Sequence, residues 1–260
     1  MRVAVVGHGE WIEFARVERV PAPGEIVDAL ETWEEPGGGG AVAAVQLARL
    51  ADECLFLTAL GDDALGHRAR RELEALGVRV EATWRSVPQR RAFVYLDADA
   101  ERTITVMGER IGPHGDDPLP WAELEGVDGV YFTAGDPAAV RAARAARKLV
   151  ASVRGIEALA GAGVQLDALV SSAEDEGERY TAGAIEPAPL LVVRTAGAGG
   201  GSFTAADGSR SEWAAPPLPG PPVDAYGAGD SFAACLTTGW GKAAHLRVPW
   251  RSRRAAARRA

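Results

Sequence analysis

The stretch Asp224-Ala225-Tyr226-Gly227-Ala228-Gly229-Asp230-Ser231-Phe232 decides how the rest of the chain is read. It follows a proline-rich run at 214–223 (AAPPLPGPPV), which suits an extended surface path, and opens a segment of helical character from Ser231 to about Gly239. Small residues at 227–229 let the backbone approach a ligand closely, and the first amides of a helix have no intrahelical acceptor. The helix dipole adds partial positive charge there, so the segment is suited to an anion. Asp230 stands where a carboxylate either caps the helix or takes a proton from a group bound beside those amides. Taken alone, a glycine turn with an Asp cap explains the stretch equally well.

Two other glycine-rich segments lie at the ends of predicted elements. Glu35-Pro36-Gly37-Gly38-Gly39-Gly40-Ala41-Val42 precedes a helix and reads as a ligand-facing backbone or as a flexible turn. Val193-Arg194-Thr195-Ala196-Gly197-Ala198-Gly199-Gly200-Gly201 runs from a strand into a loop, which could cradle phosphates through its amides or close a hairpin. The only lysines are Lys148 and Lys242, and neither completes the GxxxxGK[ST] pattern of a P-loop. Gly7-His8-Gly9 follows a strand, but Ile12 occupies the third glycine position, which argues against a dinucleotide-binding oxidoreductase.

Outside these segments the chain alternates between strands and helices. Residues 3–6 form a buried-strand pattern, 12–20 and 25–33 alternate as half-exposed strands, and 41–50 is helical with a small-residue face. A strand at 54–59 and an amphipathic helix at 64–76, closed by Gly77, come next. Strands at 78–84, 91–97 and 102–107 follow, then 127–133 and a helix at 137–148 that opens on Pro137. Short units at 149–152, 156–162, 168–171 and 190–194 continue the alternation. The pattern predicts an α/β fold with a mostly parallel central sheet, flanked by helices, and a small second sheet acting as a lid from about 12–33 and 78–107.

The chain has 260 residues, 47% of them hydrophobic, with 28 Lys and Arg against 36 Asp and Glu, for a net charge of −8. Residues 242–260 hold seven basic side chains and no acidic one, leaving −15 on residues 1–241. An acidic body argues against nucleic acid as the main partner. Cys54 and Cys235 offer no disulfide framework or zinc spacing, and His8, His67, His114 and His245 are scattered. No run approaches the ~20 apolar residues of a membrane helix, and the N-terminus lacks a secretory pattern. The expectation is a cytoplasmic protein without membrane partners.

In this order, four motifs resemble the ribokinase-like (PfkB) carbohydrate kinase family: Val20-Pro21-Ala22-Pro23-Gly24-Glu25, the segment 36–50, Gly61-Asp62-Asp63-Ala64-Leu65-Gly66, and the opening stretch 224–230. The resemblance covers residues 1–241 and implies a three-layer ribokinase-like sandwich, with a lid through which family members pair as homodimers. It implies ATP with Mg2+ as cofactors and a sugar or polyol as acceptor. Asp230 would be the general base, and the amides of Gly227, Ala228 and Gly229 the anion hole. Thr195, Gly197 and Gly200 would bind nucleotide, and Gly38, Gly39 and the Val42 position the acceptor. Asp224 would brace its loop or approach magnesium.

Several positions depart from the family. Val42 replaces an Asn that bonds sugar hydroxyls, and Ser171-Ser172-Ala173-Glu174 keeps only the Glu of the NxxE motif, so Glu174 is the magnesium candidate. The sugar-binding Asp near the first strand has Glu10 and Glu13 as its nearest carboxylates; Glu13 is weighed as a substrate contact against a solvated strand face. Arg90 and Arg91 lie on a lid strand and point to opposite faces, so at most one can reach the site, where it would favour an anionic or phosphorylated substrate; such a pair is more often a solvent-exposed strand end. Asp62 and Asp63 fit turn and cap roles. Beyond Gly241 the resemblance ends, and 242–260 reads as a divergent basic tail from truncation or a shifted frame, solvated or forming a short helix. These departures motivate an alternative, a catalytically impaired ribokinase-fold ligand-binding protein.

Overall fold

Val3, Ala4, Val5 and Val6 are at most 1% exposed, as a strand covered on both faces must be. In the computed structural model, which describes residues 1–217, 220 and 226–239, this strand lies within a nine-stranded sheet. In chain order the elements are β1 (Arg2–Val6), β2 (Glu10–Arg16), β3 (Glu31–Gly37), α1 (Gly39–Leu50), β4 (Glu53–Gly61), α2 (Ala64–Ala75), β5 (Arg79–Arg85), β6 (Arg91–Leu96) and β7 (Arg102–Met107). They continue as β8 (Gly129–Phe132), α3 (Pro137–Ala143), β9 (Leu149–Ser152), α4 (Ile156–Ala162), β10 (Ala168–Ser172), β11 (Leu191–Thr195), β12 (Gly201–Ala205), β13 (Arg210–Trp213) and α5 (Ala228–Thr237).

The large sheet has the order β13-β12-β11-β10-β9-β8-β1-β4-β5. It is parallel from β11 to β5, with β12 and β13 joined antiparallel. Alternate residues of β1 point to opposite faces. Val3 and Val5 pack with Ala43, Ala44, Leu47, Ala233 and Leu236 from α1 and α5, whereas Ala4 and Val6 pack with Val140, Ala143 and Leu159 from α3 and α4. Helices therefore cover both faces, giving three layers. The small residues of α1 let it lie close against α5 across the first face.

The second sheet has the order β3-β2-β6-β7. Its apolar side is built from Ile12, Phe14, Ala92, Val94 and Leu96, with Trp33 and Tyr226 packed against them. Phe14 stacks on Trp33 and meets Tyr226 edge-on.

Three expectations change. The strand expected in the lid near 78–84 instead pairs in parallel with β4 at the edge of the large sheet. Its alternating polarity reflects an edge position, and an edge strand and a lid strand share that pattern. The lid strands are also shifted, β2 beginning at Glu10 and β3 at Glu31. The helix expected over 137–148 ends at Ala143, where Arg144 folds back onto the carbonyls of Ala146 and Arg147 and pairs with Asp167. The tail at 242–260, Asp224, and most of the proline-rich run from 218 onward lie outside the described residues.

Candidate active site

Parallel strands bring all their C-terminal ends to one edge of a sheet, where α/β proteins place ligands. Here that edge gathers His8 after β1, Thr133 after β8, Ser152 at the end of β9 and Thr195 at the end of β11. The lid rises over it from β2, β3, β6 and β7. Between them lies a cavity of about 220 Å³.

Asp230 enters this cavity from the first turn of α5. Gly227 caps that helix at φ 71°, a conformation that favours glycine. A Cβ there would also lie 2.7 Å from Val42 Cγ1. Val42 is thus a buried support beneath the turn and does not line the cavity. Ser231 N–H donates to Gly227 O as the first bond of the helix, so the amides just before it have no helical acceptor and remain open to a ligand. Gly227 and Gly229 line the cavity.

Gly39 allows Asp230 its position: a Cβ on Gly39 would be 2.7 Å from Asp230 Oδ1. Tyr131, at the centre of β8, donates its hydroxyl to Asp230 Oδ1 at 3.0 Å. Burial pushes the Asp230 carboxyl up from the usual range, against the opposing pull of Arg154 and the Tyr131 hydroxyl. Gly38 (φ 82°) donates its N–H to Tyr226 Oη at 2.9 Å, which ties the lid segment to the loop before α5. Gly38, Gly39 and Tyr226 all line the cavity.

Glu10 and Glu13 separate by strand alternation. Glu10 lies inward beside Ile12 and Phe14, buried, with Arg90 Nε 2.9 Å from its Oε1. Burial raises its pKa and Arg90 opposes the shift. Glu13 is turned the other way, pairs with Arg91 at 3.2 Å, and does not line the cavity. Of the two adjacent arginines, Arg90 reaches the cavity and Arg91 does not. His8 accepts the Gly39 N–H at its Nε2, and burial, followed by the charges of Arg110, Arg90 and Arg154, pushes its pKa well below the usual imidazole range.

On the other flank, Thr195 lines the cavity and donates its hydroxyl to Ser171 O. Gly197 opens a short turn and lies against exposed Glu174, whose carboxylate oxygens would stand 3.0 Å from a Cβ on Gly197. Gly200 has φ 92° and a Cβ there would meet Trp213 O at 2.0 Å, so the loop's own path accounts for this glycine. Gly197, Gly200 and Glu174 border the region without lining the cavity. Among the described residues no three His, Cys, Asp or Glu side chains converge as a metal site. The Gly61–Gly66 turn is structural: Asp63 caps α2 through Leu65 and Gly66 N–H and also accepts Gln89 N–H.

Sequence reasoning did not anticipate Arg102 of β7, Arg110 or Arg154, which join Arg90 around the cavity. Single arginines, at a strand end or in turns, carry no spacing signal; only the fold brings them together. Arg154 is set by Ser152, whose Oγ accepts its N–H, and its side chain pairs with Glu178 and Asp175.

Comparison with known proteins identifies the family and the fold. The pattern for the pfkB family carbohydrate kinases matches residues 1–155. The chain is 31% identical to an ATP-dependent ribose-1-phosphate kinase of Halopiger xanaduensis, over 92% of this chain and 85% of that protein. It is 28% identical to a ribokinase of Dictyostelium discoideum over 41% of this chain and 34% of the relative. Its fold is similar to that of Arabidopsis thaliana ribokinase complexed with ribose and ATP, with TM-score 0.67 and 21% identity over 91% and 86% of the two chains. Ribokinase from Giardia lamblia gives TM-score 0.72 at 16% identity over 90% and 81%. The chain belongs to the pfkB family of carbohydrate kinases, phosphotransferases whose acceptor is a sugar hydroxyl.

Proposed function

We propose that this protein transfers the γ-phosphoryl group of ATP to a hydroxyl of a pentose-type sugar, with Asp230 as general base. The observation that carries the reading is the setting of Asp230. Tyr131 occupies Oδ1, and among the described residues no hydrogen-bond donor is found at Oδ2, which is left to accept a proton. The acceptor oxygen would form a bond to the γ-phosphorus as the bond to ADP breaks, and its proton would pass to Asp230. The raised pKa brings Asp230 closer to neutrality and makes it a better base than an ordinary aspartate. Amides at Gly227, Ala228 and Gly229 face the charge that develops on the transferring group; one such donor is worth about 2.7–4 kcal/mol in other enzymes.

Thr195, Gly197 and Gly200 would flank the nucleotide. Magnesium is commonly held by one or two carboxylates together with substrate phosphates and water. The exposed Glu174 is a carboxylate suited to it, Asp224 being a candidate outside the described residues, and the ion would neutralise phosphate charge. Gly38, Gly39 and Glu10 would hold the sugar, Glu10 taking the place that the sequence weighed for Glu13. The relatives' names point to ribose and to ribose 1-phosphate as the acceptors to try first. A coupled assay of ATP consumption across pentoses and their phosphates tests the reading: magnesium-dependent turnover is expected with one of them and is lost in Asp230→Asn. Equal turnover in that variant refutes the assigned base.

A further inference from the structure

Four arginines around one sugar-sized cavity are more than a neutral sugar needs. Their pairing separates them. Arg90 lies 2.9 Å from Glu10, and Arg154 pairs with Glu178 and Asp175. Arg110 has no such partner: its guanidinium donates to the carbonyls of Arg154 (3.2 Å) and Thr133 (3.1 Å) and lies 3.5 Å from His8 Nδ1. Among the described residues no carboxylate stands within ion-pair distance of it. Burial and the like charges of Arg90 and Arg154 act against its own charge, and the carboxylates of Glu10 and Asp230, farther than ion-pair distance, offset them in part. A cation fixed to backbone carbonyls, flanked by two others and open to the cavity, is suited to an oxyanion.

The sheet order places this cation away from the nucleotide. Arg110 is bound to the end of β8 through Thr133, and the Gly-rich loop follows β11, three strand positions along. At about 4.8 Å per strand that is a separation of ~14 Å. Asp230, bonded to Tyr131 of β8 and in contact with Gly39, belongs to the Arg110 side. An anion at Arg110 would therefore sit on the acceptor's side of the base.

We infer that Arg110 anchors a phosphate already present on the acceptor, so that the substrate is a sugar monophosphate and not a free sugar. The inference rests on the proposed kinase reading for its reaction but not for its binding site. Arg110 follows Gly108, which turns the chain out of β7, and is fixed to the large sheet. Arg90 and Arg102 come from the lid. A phosphate between them would tie lid to sheet, and the acceptor would close the site by its own charge.

Calorimetric titration without nucleotide decides it, using ribose, ribose 1-phosphate, ribose 5-phosphate and inorganic phosphate as probes. At least one pentose phosphate is expected to bind about tenfold or more tightly than ribose and than inorganic phosphate. Arg110→Gln should weaken that binding by about 10–100-fold, the range for a hydrogen bond to a charged group, with Arg110→Lys recovering part of it. A non-hydrolysable ATP analogue should bind Arg110→Gln as it binds wild type. Equal affinity of the wild-type protein for ribose and both phosphates overturns the inference whether or not the variant folds. Loss of the ATP analogue with the sugar phosphate unaffected also overturns it, because the arginine would then serve the nucleotide. Tight sugar-phosphate binding in a protein that transfers no phosphoryl group supports the subsite while refuting the kinase reading, so the two failures are distinct.

Discussion

Replacing Gly39 by alanine tests the site at its tightest contact. The new Cβ would lie 2.7 Å from Asp230 Oδ1, 3.1 Å from Cγ and 3.2 Å from Oδ2. Ordinary contact begins near 3.4 Å, so the carboxylate must recede by about 0.7 Å. The neighbour on the other side of this contact is the backbone of α1, so the side chain that moves is Asp230 itself. A displacement approaching 1 Å at a reacting group costs about 10²-fold in rate, or about 2.7 kcal/mol of barrier. Stability should move the other way. Gly39 begins α1 with an ordinary helical backbone, where alanine is favoured over glycine by up to about 1 kcal/mol. The expected phenotype is a kcat reduced about 100-fold with an unchanged or higher melting temperature and undiminished binding of a non-hydrolysable ATP analogue. Turnover within about threefold of wild type would refute the reasoning, and so would a rate loss that tracks a fall in melting temperature.

Asp230→Asn should lower kcat by about 10²–10⁴-fold, the usual worth of a general base. Because burial raises the Asp230 pKa in the folded protein, the folded state holds its proton more tightly than the unfolded chain. This group's contribution to stability therefore falls as pH rises through that window. The asparagine variant should melt higher than wild type at neutral pH, and the wild-type acid limb of kcat should lie above an ordinary aspartate's range. Asp63 has the opposite sign. Burial alone would raise its pKa, but the N–H groups of Gly66, Gln89 and Leu65 hold it below the usual range. Its stabilisation is present above the unfolded pKa and is lost as pH falls through the folded one; Asp63→Ala should cost about 1 kcal/mol, typical of an N-cap, by chemical denaturation at pH 7. Gln89→Leu would remove the acceptor for Gly61 N–H and the donor to Gly9 O, both at 2.9 Å. Each orphaned buried group costs about 1–3 kcal/mol, which urea denaturation will read directly.

Much of the site was legible because glycine and capping carboxylates act locally. The segments at 37–40 and 227–230 need backbone conformations and approaches that only small residues permit, and those requirements are written in consecutive positions. The Asp63 cap is legible for the same reason. Glu10 and Glu13 were harder. Both lie on one strand and a period of two separates their faces, but only the packing of Ile12 and Phe14 against Tyr226 fixes which face is inward. Arg90 and Arg91 divide in the same way.

The sequence by itself determined the alternation of strands and helices, the glycine-rich turns at their ends and Asp230 as the acidic residue in the first turn of α5. Those follow from short-range rules of turn geometry, capping and hydrophobic period. Tertiary structure alone decided that the strand at 79–85 joins the large sheet, because a half-exposed strand reads alike in either sheet. It also decided that Arg90, Arg102, Arg110 and Arg154, up to 64 positions apart in the chain, surround one cavity. Charge convergence depends on where parallel strands end in space, and no local pattern records it.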